Sequence, residues 1–329
     1  MSIISNTFTR HDAIGVREDL ADVIYDISPT ETPVLSSVAK GRMKQTLKEW
    51  QLDSLAAVDT TNAHIEGDDI ASFPAVTPTV RVGNYAQISR KLLILSDTQE
   101  VVDSAGRASE LAYQVARDGK ELKRDMEAII FENQGGDAGS TSAPRDLASL
   151  GAWLKSNTVF QTGGAPAGAD PTYTSGVPGA ARTDDGTPVA LTETMFKDAI
   201  EAAWLSGANI DAMTAYAGAH NKGVISGFSG VVTRNYDISG TPRPTAVIAA
   251  IDVYVSDFGT VRVMPHRFMR ARDVYLLDPE FLAVDKLRDF RLVKLAKTGD
   301  AEKRMLLVEW TLRVKNEAAH AAVFDLTSS

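Results

Sequence analysis

Histidine and carboxylate side chains are the first groups in this sequence that could do chemistry, because such residues bind metal ions and move protons. The histidines do not form the HxH, HxxxH or HExxH spacings that bring two imidazoles to one metal. Residues 66–69 (EGDD) follow His64 and could offer oxygen ligands to a hard cation, but they lack the regular ligand spacing of an EF-hand. We expect a solvated loop tip and no metal or other cofactor. The five histidines are His11, His64, His220, His266 and His320.

Two serines, Ser226 and Ser229, lie in GVISGFSG and superficially resemble a hydrolase nucleophile elbow. Neither serine has both glycines of GxSxG, although His220 could still meet one of the serines in the folded chain. The sequence has no cysteine, no GxxxxGK[ST] phosphate loop and no GxGxxG motif. We therefore expect a protein that is not an enzyme, and we keep a serine hydrolase as the alternative from another class.

Basic residues cluster in short stretches, of which His266–Arg272 (HRFMRAR) is the densest. Such a stretch can contact nucleic acid or an acidic neighbour, or it can be a charged turn between strands. The formal net charge of −9 disfavours a broad phosphate-binding surface. The sequence therefore favours a charged turn, and any contact with DNA is expected to be weak and non-specific.

The composition is that of a globular protein, with 329 residues of which 44% are hydrophobic. At roughly 150 residues per domain, this length suggests about two domains. The sequence contains neither a signal-peptide pattern nor an apolar run of about 18 residues. We expect soluble, intracellular synthesis in the cytoplasm and no membrane partner.

Residues 1–45 predict an extended arm that packs on another surface. The residues before Pro29 and Pro33 are pushed toward extended backbone by steric contact with the proline ring. A short helix is predicted over Arg17–Tyr25, because Leu20, Val23 and Ile24 share one side of it.

Residues 46–96 predict a long hairpin. Alternating residues over Thr46–Val58 and Val76–Leu95 indicate two extended runs, and the polar stretch Asp59–Pro74 between them is a loop by composition. The alternative is a pair of ordinary strands inside a compact domain.

Residues 97–134 carry the clearest pattern in the chain. Apolar or small residues recur in steps of four and three, which draws one stripe along a helix. With Ser96 or Asp97 as N-cap and Gly135-Gly136 as terminator, the prediction is one helix about 55 Å long.

The rest of the chain divides into three segments by composition and pattern. Residues 135–190 are rich in Gly, Ala, Pro, Ser and Thr, which predicts loops that are mobile or ordered against neighbours, with a small hairpin near Trp153–Phe160. Residues 191–265 and 266–329 mix helices with short strands, which indicates an α+β fold.

Several stretches of the sequence resemble the major capsid proteins of tailed phages with the Hong Kong 97 fold, in the branch typified by the SU-ten-like major head protein. The similarity extends over both ends and the middle of the chain. The matching stretches are Arg17–Ser36, Glu49–Ala56, Gly83–Lys91, Gly119–Gln134 and Lys297–Leu326.

This resemblance implies an α+β capsid fold whose parts follow the segments above. The expected parts are an N-terminal arm (1–45), an extended β-hairpin arm (46–96), a peripheral domain (97–190) with its spine helix (97–134) and insertion (135–190), an axial domain (191–265), and a return to peripheral strands (266–329). The chain starts directly at the arm, so we expect no removed propeptide, and no motif identifies a cross-linking pair.

The implied function is self-assembly, through hexamers and pentamers, into the icosahedral head shell of a virion. Scaffold, portal and decoration proteins are possible further partners, and an encapsulin-type compartment is the alternative with the same fold. Eight residues are candidates for subunit interfaces or salt bridges, with packing inside the chain or solvation as the plain alternative. They are Arg17, Glu18 and Asp19 on the arm, Trp50 and Leu52 on the hairpin, and Arg117, Lys120 and Arg124 along the spine.

Overall fold

A computed structural model describes residues 31–67, 73, 75–102, 109–228 and 253–328 of the chain. The helix expected over Arg17–Tyr25 and the candidates Arg17, Glu18 and Asp19 lie outside these residues. No helix in the described ranges combines the length and apolar character that crossing a membrane requires.

Polar side chains fix where the helices begin. Ser96, Ser109 and Thr192 each accept a hydrogen bond from the backbone N–H three residues later, which satisfies one of the free donors of the first turn. The helices are α1 (Pro33–Ser37), α2 (Asp97–Val101), α3 (Glu110–Ile130), α4 (Leu150–Trp153), α5 (Glu193–Leu205) and α6 (Ala219–Ser226).

Three strands of the described ranges, β4, β12 and β13, have ten or more residues, and the others are short. In chain order they are β1 (Ala39–Arg42), β2 (Leu47–Leu52), β3 (Val80–Tyr85), β4 (Gln87–Ser96), β5 (Thr158–Val159), β6 (Tyr173–Thr174), β7 (Val177–Pro178), β8 (Thr214–Ala217), β9 (Val253–Ser256), β10 (Gly259–Pro265), β11 (Val274–Leu277), β12 (Leu282–Lys294), β13 (Ala301–Val314) and β14 (Ala321–Val323).

The peripheral part is a four-stranded sheet covered on one face by α3. Its order is β1-β12-β13-β4, and the long antiparallel pair β12–β13 forms its centre. Leu122, Met126 and Ile130 of α3 are buried in one core with Val308 and Trp310, which point from β13 toward the helix. The sheet thus presents one face to the core, and period-2 alternation sends its other side chains to the opposite face.

The axial part is a six-stranded sheet in the order β5-β14-β11-β8-β10-β9. One face packs on α5, where Phe196 and Ile200 are fully buried, while Tyr216 and Tyr275 on the other face join the core of the peripheral part. Strands β11 and β14 come from segment 266–329, so that segment contributes to both sheets.

The single helix predicted over 97–134 is wrong in its length. Val102 and Ser109 both have extended backbone, so α2 ends before α3 begins, and α3 has 21 residues, or about 31 Å. The carboxylate of Glu100 accepts hydrogen bonds from the hydroxyl of Ser109 and the N–H of Leu111, which holds the start of α3 beside α2. At the other end, Phe131 closes the helix and turns its ring into the core beside Tyr216, His266 and Tyr275.

The predicted hairpin is confirmed at its base, where β2 pairs with β3. Its second extended run is divided into two strands, β3 and β4. Strand β3 pairs with β2 from Leu47↔Tyr85 to Leu52↔Val80, whereas β4 leaves the hairpin and joins β13 of the peripheral sheet. Ala86, which is fully buried, separates the two strands, and its N–H donates to the carbonyl of Thr46.

Most of the insertion 135–190 consists of loops, and these loops pack into the fold, where Leu147, Leu150 and Trp153 are buried. The small hairpin expected near Trp153–Phe160 is absent from it, because Thr158–Val159 pairs in parallel with β14 instead. The side chain of Asn157 directs this pairing by donating to the carbonyls of Ala318 and His320. Buried polar side chains therefore order this segment where apolar residues are few.

Candidate assembly surfaces

The base of the hairpin arm is fixed to its own chain by one buried amide. The side chain of Asn84 donates to the carbonyls of Ala148 (2.9 Å) and Leu312 (2.7 Å) and accepts from the N–H of Ala148 (2.8 Å). An Asn that uses both ends of its amide in this way has one allowed orientation. The arm therefore leaves the body of the protein in a defined direction.

The hairpin candidates Trp50 and Leu52 pack within the chain. The ring of Trp50 stacks on that of Trp153 with centroids 5.4 Å apart, and Trp153 in turn meets Tyr173. Leu52 is half-buried against the same core. These contacts support the base of the arm, and a role of either residue at a subunit interface stays a prediction.

The loop of the arm, residues 53–79, leaves its apolar side chains in solvent. Leu55 is 98% exposed, Val58 91%, Phe73 84% and Val76 92%. By sequence the loop also carries acidic residues at positions 53, 59, 66, 68 and 69 and no lysine or arginine. Several large apolar residues exposed together on one segment are typical of a surface that another molecule covers.

The spine helix α3 carries charged pairs on its solvent side. Lys91 of β4 reaches across to Asp125 (2.7 Å) and Glu121 (3.8 Å), and its hydrogen bond with Asp125 raises the pKa of the lysine. The spine candidates differ in their surroundings: Arg117 pairs with Glu121 at 3.0 Å, whereas Lys120 is exposed on the helix.

The third spine candidate, Arg124, is half-buried, and its guanidinium lies 5.3 Å from the centre of the Phe268 ring. This distance is within the range of a cation–π contact. Arg124 therefore contacts its own chain, and a contact of any of the three spine candidates with a neighbouring subunit stays a prediction.

A buried carboxylate that sequence patterns did not indicate joins the arm to the spine. Glu127 of α3 accepts hydrogen bonds from the N–H groups of Val34 (2.8 Å) and Leu35 (2.9 Å) at the start of α1, and its Oε1 lies 2.9 Å from Nε2 of His266. Thr32, the residue before α1, makes no side-chain cap of its own. The Glu127 carboxylate on α3 therefore accepts hydrogen bonds from the first turn of α1, which a side-chain cap at Thr32 would otherwise provide.

The basic stretch His266–Arg272 is a charged turn whose side chains are used inside the chain. Arg270 pairs with Asp184 and lies 3.4 Å from Asp273, while Arg272 pairs with Asp325 at 2.8 Å. Burial raises the pKa of Asp273 to about 7, although Arg270 acts in the opposite direction. The expectation of a charged turn agrees with this geometry.

Arg182 belongs to the same charged cluster as Arg270 and Arg272, and it joins the insertion 135–190 to Phe324 and Asp325 near the C-terminus. The side chain of Arg182 is fully buried, with its guanidinium 3.8 Å from the ring centre of Phe324 and 4.6 Å from that of Phe160. Burial lowers the pKa of Arg182, and Asp170 and Asp325 offset part of this effect. No period or motif marks Arg182 in the sequence, because its partners come from distant segments.

The axial part ends in a second apolar surface. Trp204 and Leu205 at the end of α5 are 50% and 70% exposed, and the Trp204 ring lies 5.1 Å from that of Phe258. Strand β9 forms the edge of the six-stranded sheet next to them, with Val253 and Val255 pointing outward.

The residues considered for catalysis or metal binding do not form a site in the described part of the chain. His220 and Ser226 lie six residues apart on α6, which places them on different sides of the helix, and Ser229 lies outside the described residues. His64 is exposed and contacts Asn62 at 3.1 Å. Among the residues that the structure describes, no three His, Asp or Glu side chains converge as metal ligands.

Comparison with known proteins places these features in a family. The model of the SU10 major capsid protein family matches residues 3–327. The major capsid protein of Escherichia phage Phieco32 is 41% identical over 127 residues, which are 39% of this chain and 36% of the length of that relative.

Solved structures show the same fold at low sequence identity. The capsid asymmetric unit of Cyanophage A-1(L) is 15% identical with a TM-score of 0.67, and the alignment covers 98% of this chain and 99% of that one. The capsid structure of Cyanophage P-SCSP1u is 10% identical with a TM-score of 0.60, and the alignment covers 99% and 97%. These likenesses confirm the expected α+β capsid fold of the Hong Kong 97 type. By its match over nearly the whole sequence, the chain belongs to the SU10 major capsid protein family.

Proposed function

We propose that many copies of this chain assemble, through hexamers and pentamers, into the icosahedral shell that encloses the genome of a tailed phage. The observation that carries the proposal is the loop of the hairpin arm, whose apolar residues are 81–98% exposed at Leu55, Val58, Ile65 and Val76. A loop of this composition gains stability only when another surface removes those side chains from water. Identical subunits with such complementary surfaces close into a shell when their contacts follow rotational symmetry.

The arm, the spine and the axial edge supply the interfaces in this proposal. Arg117 and Lys120 are exposed on α3, and Trp204 and Leu205 are exposed at the axial edge, so a neighbouring copy would contact them there. Trp50 and Leu52 act indirectly, by holding the base of the arm. Exposed ion pairs contribute little individually, so the strength of the shell comes from many apolar and polar contacts together.

The same proposal makes the chain a structural protein and not an enzyme. Its support is the family membership and the separation of His220 from Ser226 on α6. Packaged DNA meets an acidic subunit of net charge −9, so its contact with the shell is weak and non-specific. Scaffold, portal and decoration proteins are the further partners that a phage head would require.

Electron microscopy and analytical sedimentation of the concentrated, purified protein test this function. We expect uniform hollow particles from the natural sequence and strongly reduced assembly when Leu55, Val58 and Val76 are all changed to Ser. A matched variant changes three exposed polar residues of the same loop, Ser54→Ala, Thr60→Ala and Asn62→Ala, and should assemble normally.

A folded subunit that stays monomeric at every concentration would overturn the proposal. Normal assembly of the triple Ser variant would also overturn it, because the loop would then have no part in joining subunits.

A further inference from the structure

The edge of the four-stranded sheet beside α1 and α3 carries a cluster of basic side chains. Strand β1 pairs in parallel with β12, with Lys40 opposite Val284 and Arg42 opposite Lys286. Successive residues of a strand alternate between the two faces of a sheet, and residues paired across neighbouring strands share a face. Val284 belongs to the core beneath α3, so Lys40, Arg42 and Lys286 all lie on the α3 side of the sheet.

Gly41 fixes this orientation of β1. A Cβ atom at Gly41 would lie 2.0 Å from Oδ1 of Asp285, a buried carboxylate that pairs with Arg313 at 2.9 Å on the opposite face of the sheet. A shift of the register by one residue would bring a side chain onto that carboxylate and would turn the other side chains of the strand over. The register that fits is therefore the one that points Lys40 and Arg42 toward α3.

Two adjoining cavities, of about 570 and 250 Å³, lie beside these basic residues, and Lys40 and Lys286 line both of them. Arg42 lines the larger cavity. Lys123 of α3 and Ser36 of α1 line the smaller one, so the two helices form the wall that faces the edge of the sheet. We refer to the two cavities together as the basic groove.

Four cations and one carboxylate line the basic groove. The carboxylate, Asp289, lies 2.6 Å from Lys286, and this hydrogen bond, aided by the charge of Arg42, lowers the pKa of Asp289. Lys40, Arg42 and Lys123 are exposed and form no ion pair with any residue that the structure describes. Like charges gathered in one place repel each other, and a negatively charged ligand removes this cost. The groove is therefore a local anion-binding surface on a chain whose net charge is −9.

The phosphate backbone of double-stranded DNA has the chemistry that fits this groove. The guanidinium of Arg42 can donate two parallel hydrogen bonds to one phosphate, while the lysines act as point charges. Phosphates repeat along the backbone, so cations on separate elements of one groove can contact several of them, whereas a small free anion would engage only some. Contacts of this kind position a protein on DNA and carry no sequence information.

We propose that the basic groove binds the phosphate backbone of packaged double-stranded DNA through Lys40, Arg42 and Lys123. This inference rests on the proposed function, since the shell brings DNA to the subunit, and it requires the groove to open toward the interior of the shell. The weak, non-specific contact between an acidic subunit and the genome is then confined to one place on each copy.

Fluorescence anisotropy of a labelled duplex DNA of random sequence, titrated with the unassembled subunit, tests this site. The groove variant combines Lys40→Gln with Arg42→Gln. The matched control combines Arg90→Gln with Arg291→Gln, because these two arginines are also exposed but lie on the other face of the same sheet, on either side of Leu307 in the register. Both variants lose two positive charges, so a difference between them reports the position of the charges and not the net charge.

At about 50 mM salt we expect the groove variant to bind DNA about tenfold more weakly than the natural sequence, and the control variant to bind almost as well as it. The slope of the logarithm of the binding constant against the logarithm of the salt concentration should fall by about 0.9 for each phosphate contact that is lost. Lys123→Gln, on a separate element, should weaken binding in the same way, which keeps the test valid if the changes on β1 disturb folding.

Equal binding by the groove and control variants, or no binding by the natural sequence, would overturn the groove as a DNA site and leave the proposed function intact. A groove variant that binds DNA normally but no longer forms particles would also overturn it, because the groove would then receive an acidic protein segment instead. A failure of the natural sequence to form particles would contradict the proposed function itself.

Discussion

Asp273 and His320 are fully buried and ionisable. Their pKa values are shifted in opposite directions, so their contributions to stability change with pH in opposite senses. Burial raises the pKa of Asp273 from 3.8 to about 7, and burial lowers the pKa of His320 from 6.5 to about 3. The folded protein therefore holds more protons at Asp273 than the unfolded chain does, and fewer at His320. The stabilising contribution of Asp273 is complete below about pH 4 and is lost as the pH rises to 7, whereas that of His320 is complete above pH 6.5 and is lost as the pH falls toward 3.

We predict that single substitutions at Asp273 and His320 separate their two opposite effects on the pH dependence of the free energy of unfolding. Relative to the natural sequence, the free energy of unfolding of Asp273→Asn should rise with pH between about 4 and 7, by up to about 1.4 kcal/mol per pH unit. That of His320→Gln should fall, relative to the natural sequence, between about pH 4 and 6.5. Urea unfolding of the unassembled subunit over this range measures both differences. Curves that run parallel to that of the natural sequence would show that neither group titrates as described.

The sequence did not indicate these residues, because a buried charge is defined by its surroundings and not by its own spacing. Asp273 is buried by Arg270, Asp184 and Tyr275, which come from two distant segments. Sequence spacing considered His320 only as a metal ligand, and His266 as a metal ligand or as part of a basic stretch. In the structure His320 accepts a hydrogen bond from the N–H of Asp278, and the ring of His266 lies beside Glu127.

At the scale of elements, the link between α1 and α3 depends on one side chain. Glu127 supplies the only side-chain acceptor that the described structure gives to the first turn of α1. We predict that Glu127→Gln lowers the free energy of unfolding by about 2–4 kcal/mol, because a buried amide replaces one acceptor oxygen by a donor that faces other donors. Urea unfolding measures the loss, and limited proteolysis around Pro33 reports the release of α1.

The matched control is Glu121→Gln on the same helix. Glu121 pairs with Arg117 near the surface, where an ion pair is worth about 1 kcal/mol or less. Equal losses in the two variants would contradict the role given to Glu127.

Pattern-based prediction succeeded for elements whose packing follows a regular period. Residues 191–265 and 266–329 contain the predicted mixture of helices and short strands, including α5 (Glu193–Leu205) and β11 (Val274–Leu277), because local caps and apolar runs determine these elements. The spine prediction identified the buried stripe through Leu122 and Met126 but missed the break before Ser109, where a contact with Glu100 of another helix sets the boundary. Composition allowed for loops of the insertion 135–190 that are ordered against neighbours, but it could not indicate the buried hydrogen bonds of Asn157, which accompany the pairing of Thr158–Val159 with β14.

At the scale of the whole molecule, the arm loop is the part of the subunit that its own chain leaves most exposed, with Leu55, Val58 and Val76 more than 90% exposed. Strands β2 and β3 anchor the arm through Asn84, while β4 continues into the four-stranded sheet. Under the proposed function, each copy places this loop on a neighbouring copy, which is a head-to-tail contact. A head-to-tail contact of this kind closes into rings when rotation around an axis brings the last copy to the first.

Cryo-electron microscopy of the assembled particles tests this account most directly, since a reconstruction at side-chain resolution shows where each arm lies. We predict a closed shell in which loop 53–79 of every copy lies on a neighbouring copy and buries Leu55, Val58 and Val76 there. Particles in which each loop folds back onto its own chain, with no burial between copies, would contradict the central claim.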